Sequence, residues 1–91
     1  MFLHVGNNKN IRIKNIIGIF DMDNTTVSSV TRKYLTGKQK NALVESAAED
    51  EIPKSFVLYR EADENGNEIF RICFSQLSTS SLMGRMNVVE Q

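Results

Sequence analysis

Phe2-Leu3-His4-Val5 reads as a short strand, Gly6-Asn7-Asn8-Lys9-Asn10 has the chemistry of a tight turn, and Ile11-Arg12-Ile13-Lys14 alternates apolar with basic positions. The pattern predicts a hairpin with Ile11 and Ile13 on a core face and Arg12 and Lys14 outward. Asn15 is expected to break the second strand. Ile16-Ile17-Gly18-Ile19-Phe20 is continuous and rich in β-branched residues, as in a strand covered on both faces, so it is expected at the centre of the sheet and to end over 21–24. Val27, Val30, Tyr34 and Leu35 then recur at helical spacing, which predicts an amphipathic helix from Thr26 to Leu35 with Thr25 or Thr26 as N-cap and Gly37 as the stop. Its other face carries Ser28, Ser29, Arg32 and Lys33, and Lys38 and Lys40 follow the stop.

Ala42-Leu43-Val44 suggests a short strand before an acidic loop with Glu45, Glu49, Asp50 and Glu51, closed by Pro53 and expected to be solvated. Ser55 to Ala62 and Glu68 to Phe74 are two strand patterns around Asn65-Gly66, a strong hairpin signal. A two-residue turn would put Val57/Phe74, Tyr59/Ile72 and Glu61/Phe70 on one face and Leu58/Cys73 and Arg60/Arg71 on the other. Facing arginines repel unless an anion sits nearby, so Arg60 and Arg71 form a candidate anion site. The alternative is a shifted register. Finally, Leu77-Ser78-Thr79-Ser80-Ser81-Leu82 resembles a hydrophobic staple: Ser78 caps a short helix, Leu77 packs on Leu82, Leu82, Met83 and Met86 form the apolar side, and Arg85 points outward. The fold class expected is α+β: a small, mainly antiparallel sheet with two short helices, forming one domain over 1–91.

Composition bounds what such a domain does. Ninety-one residues, 41% of them apolar, allow one modest core. The longest apolar stretch, Ile16 to Phe20, is far short of the roughly 18 residues of a membrane span, so no membrane partner is expected. Met1 to Gly6 lacks the basic lead and longer apolar run of a secretory signal, which gives a cytoplasmic expectation. The formal charge is zero, yet residues 1–40 carry seven Lys or Arg against two Asp, a net of +5, and the rest carries four against nine, a net of −5. That asymmetry suits a basic surface for nucleic acid or head-to-tail attraction between identical subunits, unless charges from the two halves intermix on the folded surface.

The catalytic vocabulary is thin. His4 is the only histidine and Cys73 the only cysteine, so no internal disulfide, redox pair or imidazole/thiolate metal cluster can be built within one chain. Asp63-Glu64-Asn65-Gly66-Asn67-Glu68 is too short for a calcium loop. Ile17-Gly18-Ile19-Phe20-Asp21-Met22-Asp23-Asn24-Thr25-Thr26-Val27 looks like the first motif of haloacid-dehalogenase phosphohydrolases, in which the first aspartate attacks phosphorus and the second handles the leaving-group proton. Asp21 and Asp23 would take those parts. That chemistry also needs a later Ser or Thr, a lysine and a further acidic pair on a parallel sheet, and the predicted order of elements does not offer one. A magnesium-dependent phosphohydrolase is therefore a remote alternative. No catalytic residue, cofactor or metal site is expected.

Four stretches in order, Leu3-His4-Val5-Gly6, Asn15-Ile16-Ile17-Gly18-Ile19-Phe20-Asp21, Pro53-Lys54-Ser55-Phe56-Val57 and Ser75-Gln76-Leu77-Ser78-Thr79-Ser80-Ser81-Leu82, resemble the RemB branch of the RemA/RemB family of bacterial extracellular-matrix (biofilm) regulators. The resemblance covers nearly the whole chain. It implies a cytoplasmic, non-enzymatic protein that assembles into a homo-oligomeric ring and associates with double-stranded DNA to influence transcription of matrix genes; in the RemA branch, arginines on the ring bind and bend promoter DNA. Here Asn15 stands where RemA-type proteins carry one such arginine, and Asp50-Glu51-Ile52 occupies the stretch where others fall. The hairpin around Asn65-Gly66 is also longer than the resemblance leads one to expect. The basic residues left to meet phosphates are Arg12, Lys14, Arg32, Lys33, Lys38 and Lys40. An oligomeric protein-interaction subunit without DNA binding is the alternative.

Overall fold

The computed structural model describes residues 1–35, 44–48 and 51–90. The order of elements is β1 (Phe2–Gly6), β2 (Lys9–Arg12), a single 3-10 turn (Ile13–Asn15), β3 (Ile16–Asp21), α1 (Asn24–Tyr34), β4 (Val44–Ser46), β5 (Ser55–Ala62), β6 (Glu68–Ser75) and α2 (Thr79–Glu90). β1 and β2 form a two-stranded hairpin, and the other strands form a sheet in the order β3-β5-β6-β4. Pairing is antiparallel except between β4 and β6, which run parallel. This is the expected α+β class. Lys38, Lys40, the Gly37 stop, Ala42, Leu43, Glu49 and Asp50 lie outside the described residues.

The first hairpin forms as expected, but its turn is only Asn7-Asn8 and its second strand is Lys9–Arg12, with Ile13 to Asn15 in the 3-10 turn where the strand was expected to run on to Lys14. Asn7 and Asn8 both take positive φ, 43° and 58°, the conformation a two-residue turn needs to match the twist of its strands. Leu3, Val5 and Ile11 face inward, and Ile13 packs against the same cluster from the 3-10 turn.

The centre of the sheet is not where the apolar run suggested. β3 is an edge strand, paired only with β5, and Ile17 at its bulge is 41% exposed. β5 is central instead: Ser55 through Tyr59 are all buried, because neighbours on both edges and layers on both faces cover them. Alternation along β5 divides the core. Val57 and Tyr59 join Leu3, Val5, Ile11, Cys73 and Leu82 under the hairpin and α2. Phe56 and Leu58 join Val30, Leu35 and Ile72 under α1, with Phe56 stacked on Phe20 at 5.0 Å. Continuous apolar runs mark both strands; tertiary placement decides which of them is enclosed.

The β5–β6 hairpin also departs from the two-residue expectation. Its connection spans 63–67, and the strands pair as Leu58↔Ile72, Tyr59↔Arg71 and Arg60↔Phe70. Asp63 causes the shift. Its carboxylate accepts from the N–H groups of Asn65 and Asn67 at 2.9 and 2.8 Å, and its own N–H donates to the Asn67 carbonyl at 2.8 Å. Gly66, at φ 82°, takes the left-handed position that this wider loop requires. With Asp63 and Asn67 bonded across the hairpin, the turn proper is 64–66, one residue more than two, and every cross-strand pair moves by one place.

Both helices are capped, the first by a residue the sequence pattern passed over. Asp23 rather than Thr25 or Thr26 is the N-cap of α1, its carboxylate accepting from the N–H groups of Thr25 and Thr26 at 2.8 and 3.1 Å. Ser78 caps α2 as expected, accepting from the Ser81 N–H at 3.1 Å, and Leu77 packs into the cluster that contains Leu82. Leu82 is fully buried, and Met86, one turn on, follows it inward. Met83 is about 100° round the helix and is 49% exposed, so it does not belong to the apolar side. Arg85 is exposed and donates to the His4 carbonyl at 3.0 Å, tying α2 to β1.

Candidate nucleic-acid interface

β3 begins at Ile16, opposite Tyr59, whereas β5 continues to Ala62. The last residues of β5 therefore outrun β3, and the segment 12–15 passes beside them. An open cleft of about 400 Å³ results, with Arg12, Lys14 and Asn15 on one wall and Arg60, Glu61 and Glu68 on the other. Three cations from two distant stretches converge there. Among the described residues neither Arg12 nor Lys14 has a carboxylate within ion-pair distance, and Arg60 reaches only Glu68 at 3.9 Å, with both side chains about half exposed. Such a pair contributes little.

A second, narrower cleft of about 230 Å³ shares Arg12, Asn15, Arg60 and Glu61 with the first and adds Phe2, Asn10 and Tyr59. Phe2 and Arg12 are cross-strand partners, and the guanidinium lies 5.5 Å from the ring centroid. The Phe2 ring is nevertheless 53% exposed. Neither its exposure nor its place beside Arg60 was legible before folding; the cue available was the Arg12/Lys14 alternation.

The remaining candidates distribute as follows. Arg32 and Lys33 are exposed in the last turn of α1, where cations complement the helix dipole, and Lys33 lies 5.4 Å from the Tyr34 ring. Tyr34 meets Phe70 edge to face at 5.3 Å, and Phe70 pairs with Arg60. The basic end of α1 thus sits on the same sheet face as Arg60. Arg71 does not. In the observed register Arg60 and Arg71 are on opposite faces, so the proposed anion site between them does not exist. Arg71 pairs with Glu45 at 2.6 Å and with Glu61 at 2.9 Å.

Those contacts belong to a network absent from the sequence reading, which placed Glu45 in a solvated loop. Glu45 is on β4; it also accepts from Lys9 of β2 at 2.9 Å and from the Tyr59 hydroxyl at 3.4 Å. Partial burial opposes ionisation of Glu45, but the Lys9 hydrogen bond and the charges of Lys9 and Arg71 outweigh it and hold the carboxyl below its ordinary value. Burial, reinforced by Glu45, pushes the Tyr59 phenol up to about 12 and the Cys73 thiol up to about 11. The network joins hairpin, β4, β5 and β6, and its charges are spent on one another.

The aspartates of the phosphohydrolase-like string also have partners. Asp21 accepts from the Thr79 hydroxyl at 2.6 Å, linking β3 to α2, and Asp23 caps α1. β3 is flanked by an antiparallel strand. Exposed His4 faces Asn10 at 3.0 Å. Among the described residues no three His, Cys, Asp or Glu side chains are grouped to hold a metal ion, and no helix is long and apolar enough to cross a membrane. No protein-family model matches the chain, and no curated protein matches it.

Proposed function

We propose that this chain is a non-enzymatic regulatory subunit that self-associates and binds the phosphate backbone of DNA, as its resemblance to the RemA/RemB family implies. The observation that carries the reading is the convergence of Arg12, Lys14 and Arg60 on one open cleft; the basic end of α1 lies on the sheet face from which Arg60 projects. Phosphate contacts need exposed, unneutralised cations, and Arg12 and Lys14 meet that requirement among the described residues. This adds Arg60 to the basic residues expected to meet phosphates and centres the contact surface on the end of β5. Self-association draws on the resemblance and on the unlike edges of the sheet, β3 and β4. A head-to-tail contact joins unlike surfaces and closes into a ring when the rotation allows.

The test is titration of labelled duplex DNA at several salt concentrations, with light scattering after size exclusion on the same samples. Affinity should fall with salt along a log–log slope of roughly 0.9 per phosphate contact, and Arg60→Gln should reduce that slope by about 1. The combined reversal Arg12→Glu with Arg60→Glu should abolish binding while the oligomer persists. Unchanged binding by the double variant would remove the cleft from the interface, and an oligomer indifferent to DNA would leave the protein-interaction reading. A monomer at tens of micromolar would overturn the assembly.

A further inference from the structure

We propose that the paired clefts form a site for one unpaired nucleotide, with the base against Phe2 and the phosphate among Arg12, Lys14 and Arg60. This rests on the phosphate-binding reading of the same cleft and goes beyond it. A duplex backbone asks only for charge. The narrower cleft offers more: an exposed aromatic ring, two carboxamides from Asn10 and Asn15, and the cations of its wider neighbour. These are the three features by which a nucleotide is held: a flat π face, hydrogen-bonding groups for the base edge, and positive charge for the phosphate.

The arrangement of Phe2 supports this role. The core on this side of the sheet is filled by Leu3, Val5 and Ile11 from the same hairpin, while Phe2 points away and stays 53% exposed at the rim. Arg12 lies over the Phe2 ring, and a base stacked against the pair gains both aromatic and cation contacts. Tyr59, only 2% exposed, gives the cleft a rigid wall held in place by the Lys9–Glu45–Arg71 network. The two clefts, about 400 and 230 Å³, share Arg12, Asn15, Arg60 and Glu61, so the phosphate and the base of one nucleotide occupy adjoining spaces. In a duplex the base is paired and stacked inside the helix and cannot reach Phe2, so the site distinguishes an unpaired nucleotide from a paired one.

The ligand can be a free nucleoside monophosphate or an unpaired nucleotide within a strand. Fluorescence anisotropy at low salt with a labelled oligothymidylate and with a duplex of equal length tests the site, with thymidine monophosphate and inorganic phosphate as competitors. The single strand should bind more tightly than the duplex. Phe2→Ala should weaken single-strand binding about 10-fold and duplex binding far less, the latter only through the loss of the ring beneath Arg12. Phe2→Leu should behave like Phe2→Ala, and Phe2→Tyr should retain binding; circular dichroism checks that each variant is folded. Thymidine monophosphate competing better than phosphate identifies the free nucleotide as sufficient, whereas displacement by strands alone identifies the unpaired base in a chain. Duplex binding without single-strand preference, or equal effects of Phe2→Ala on both, overturns this inference and leaves the duplex reading standing. Single-strand binding without duplex binding does the reverse.

Discussion

Glu45→Gln isolates the charge network that fastens β4 to the rest of the fold. The wild-type carboxylate meets Lys9 at 2.9 Å, Arg71 at 2.6 Å and the Tyr59 hydroxyl at 3.4 Å. Glutamine keeps one acceptor oxygen but removes the charge, leaving Lys9 without its partner while Arg71 retains Glu61. A hydrogen bond to a charged group contributes about 1.5–3 kcal/mol, and an exposed ion pair less than about 1. The three side chains of the two ion pairs are 20–31% exposed, between those cases, so the expected loss is about 1–2 kcal/mol. Urea denaturation at pH 7 measures it. Linkage sets the sign of its pH dependence: the folded-state pKa of Glu45 lies below its ordinary 4.5, so the contribution is present above 4.5 and is lost as pH falls through the folded value. The difference between wild type and Glu45→Gln should therefore be full at neutral pH and shrink in strong acid. A variant as stable as wild type at pH 7, or a difference that persists unchanged below the folded pKa, would refute the assignment.

Three further outcomes follow from the geometry. Asp23→Ala should cost about 1 kcal/mol by removing the N-cap of α1, without altering DNA affinity, as read by thermal denaturation and anisotropy. Leu82→Ala should lose about 2–5 kcal/mol in denaturant titration, since the side chain is fully buried between α2 and the hairpin; a loss below about 1 would mean that α2 is not docked. Tyr59 should ionise near pH 12 in an ultraviolet titration, above its ordinary 10.0, because burial disfavours the phenolate. Its contribution to stability is complete below pH 10 and declines as pH rises toward 12, the sign expected of a raised folded-state pKa.

Much of the fold was legible along the chain because its signals are local. Asn7-Asn8 supports the positive φ values of a tight turn, Ser78 offers a hydroxyl to a helix start, and alternation in 11–14 assigns Ile11 and Ile13 inward and Arg12 and Lys14 outward. Each depends on residues within a few positions of one another. The errors arose where one local signal had two solutions. Thr25 and Thr26 are good caps, but Asp23 takes the part because its carboxylate reaches both of their N–H groups. Asn65-Gly66 is a good two-residue turn, but Asp63 binds two loop N–H groups and widens the connection.

Sequence was sufficient for the element types, the α+β class and the outward direction of Arg12 and Lys14, because period and turn chemistry are properties of short segments. Only the tertiary structure decided that β5 rather than β3 is enclosed, since enclosure depends on which strands find neighbours on both edges. It alone decided that Arg60 stands with Arg12 and Lys14 while Arg71, on the sheet face that the hairpin covers, is tied to Glu45 and Glu61. A one-residue change in loop length reverses the face of every later side chain, and β5 outrunning β3 opens the cleft. Both are relations between segments far apart in the chain, which no local pattern encodes.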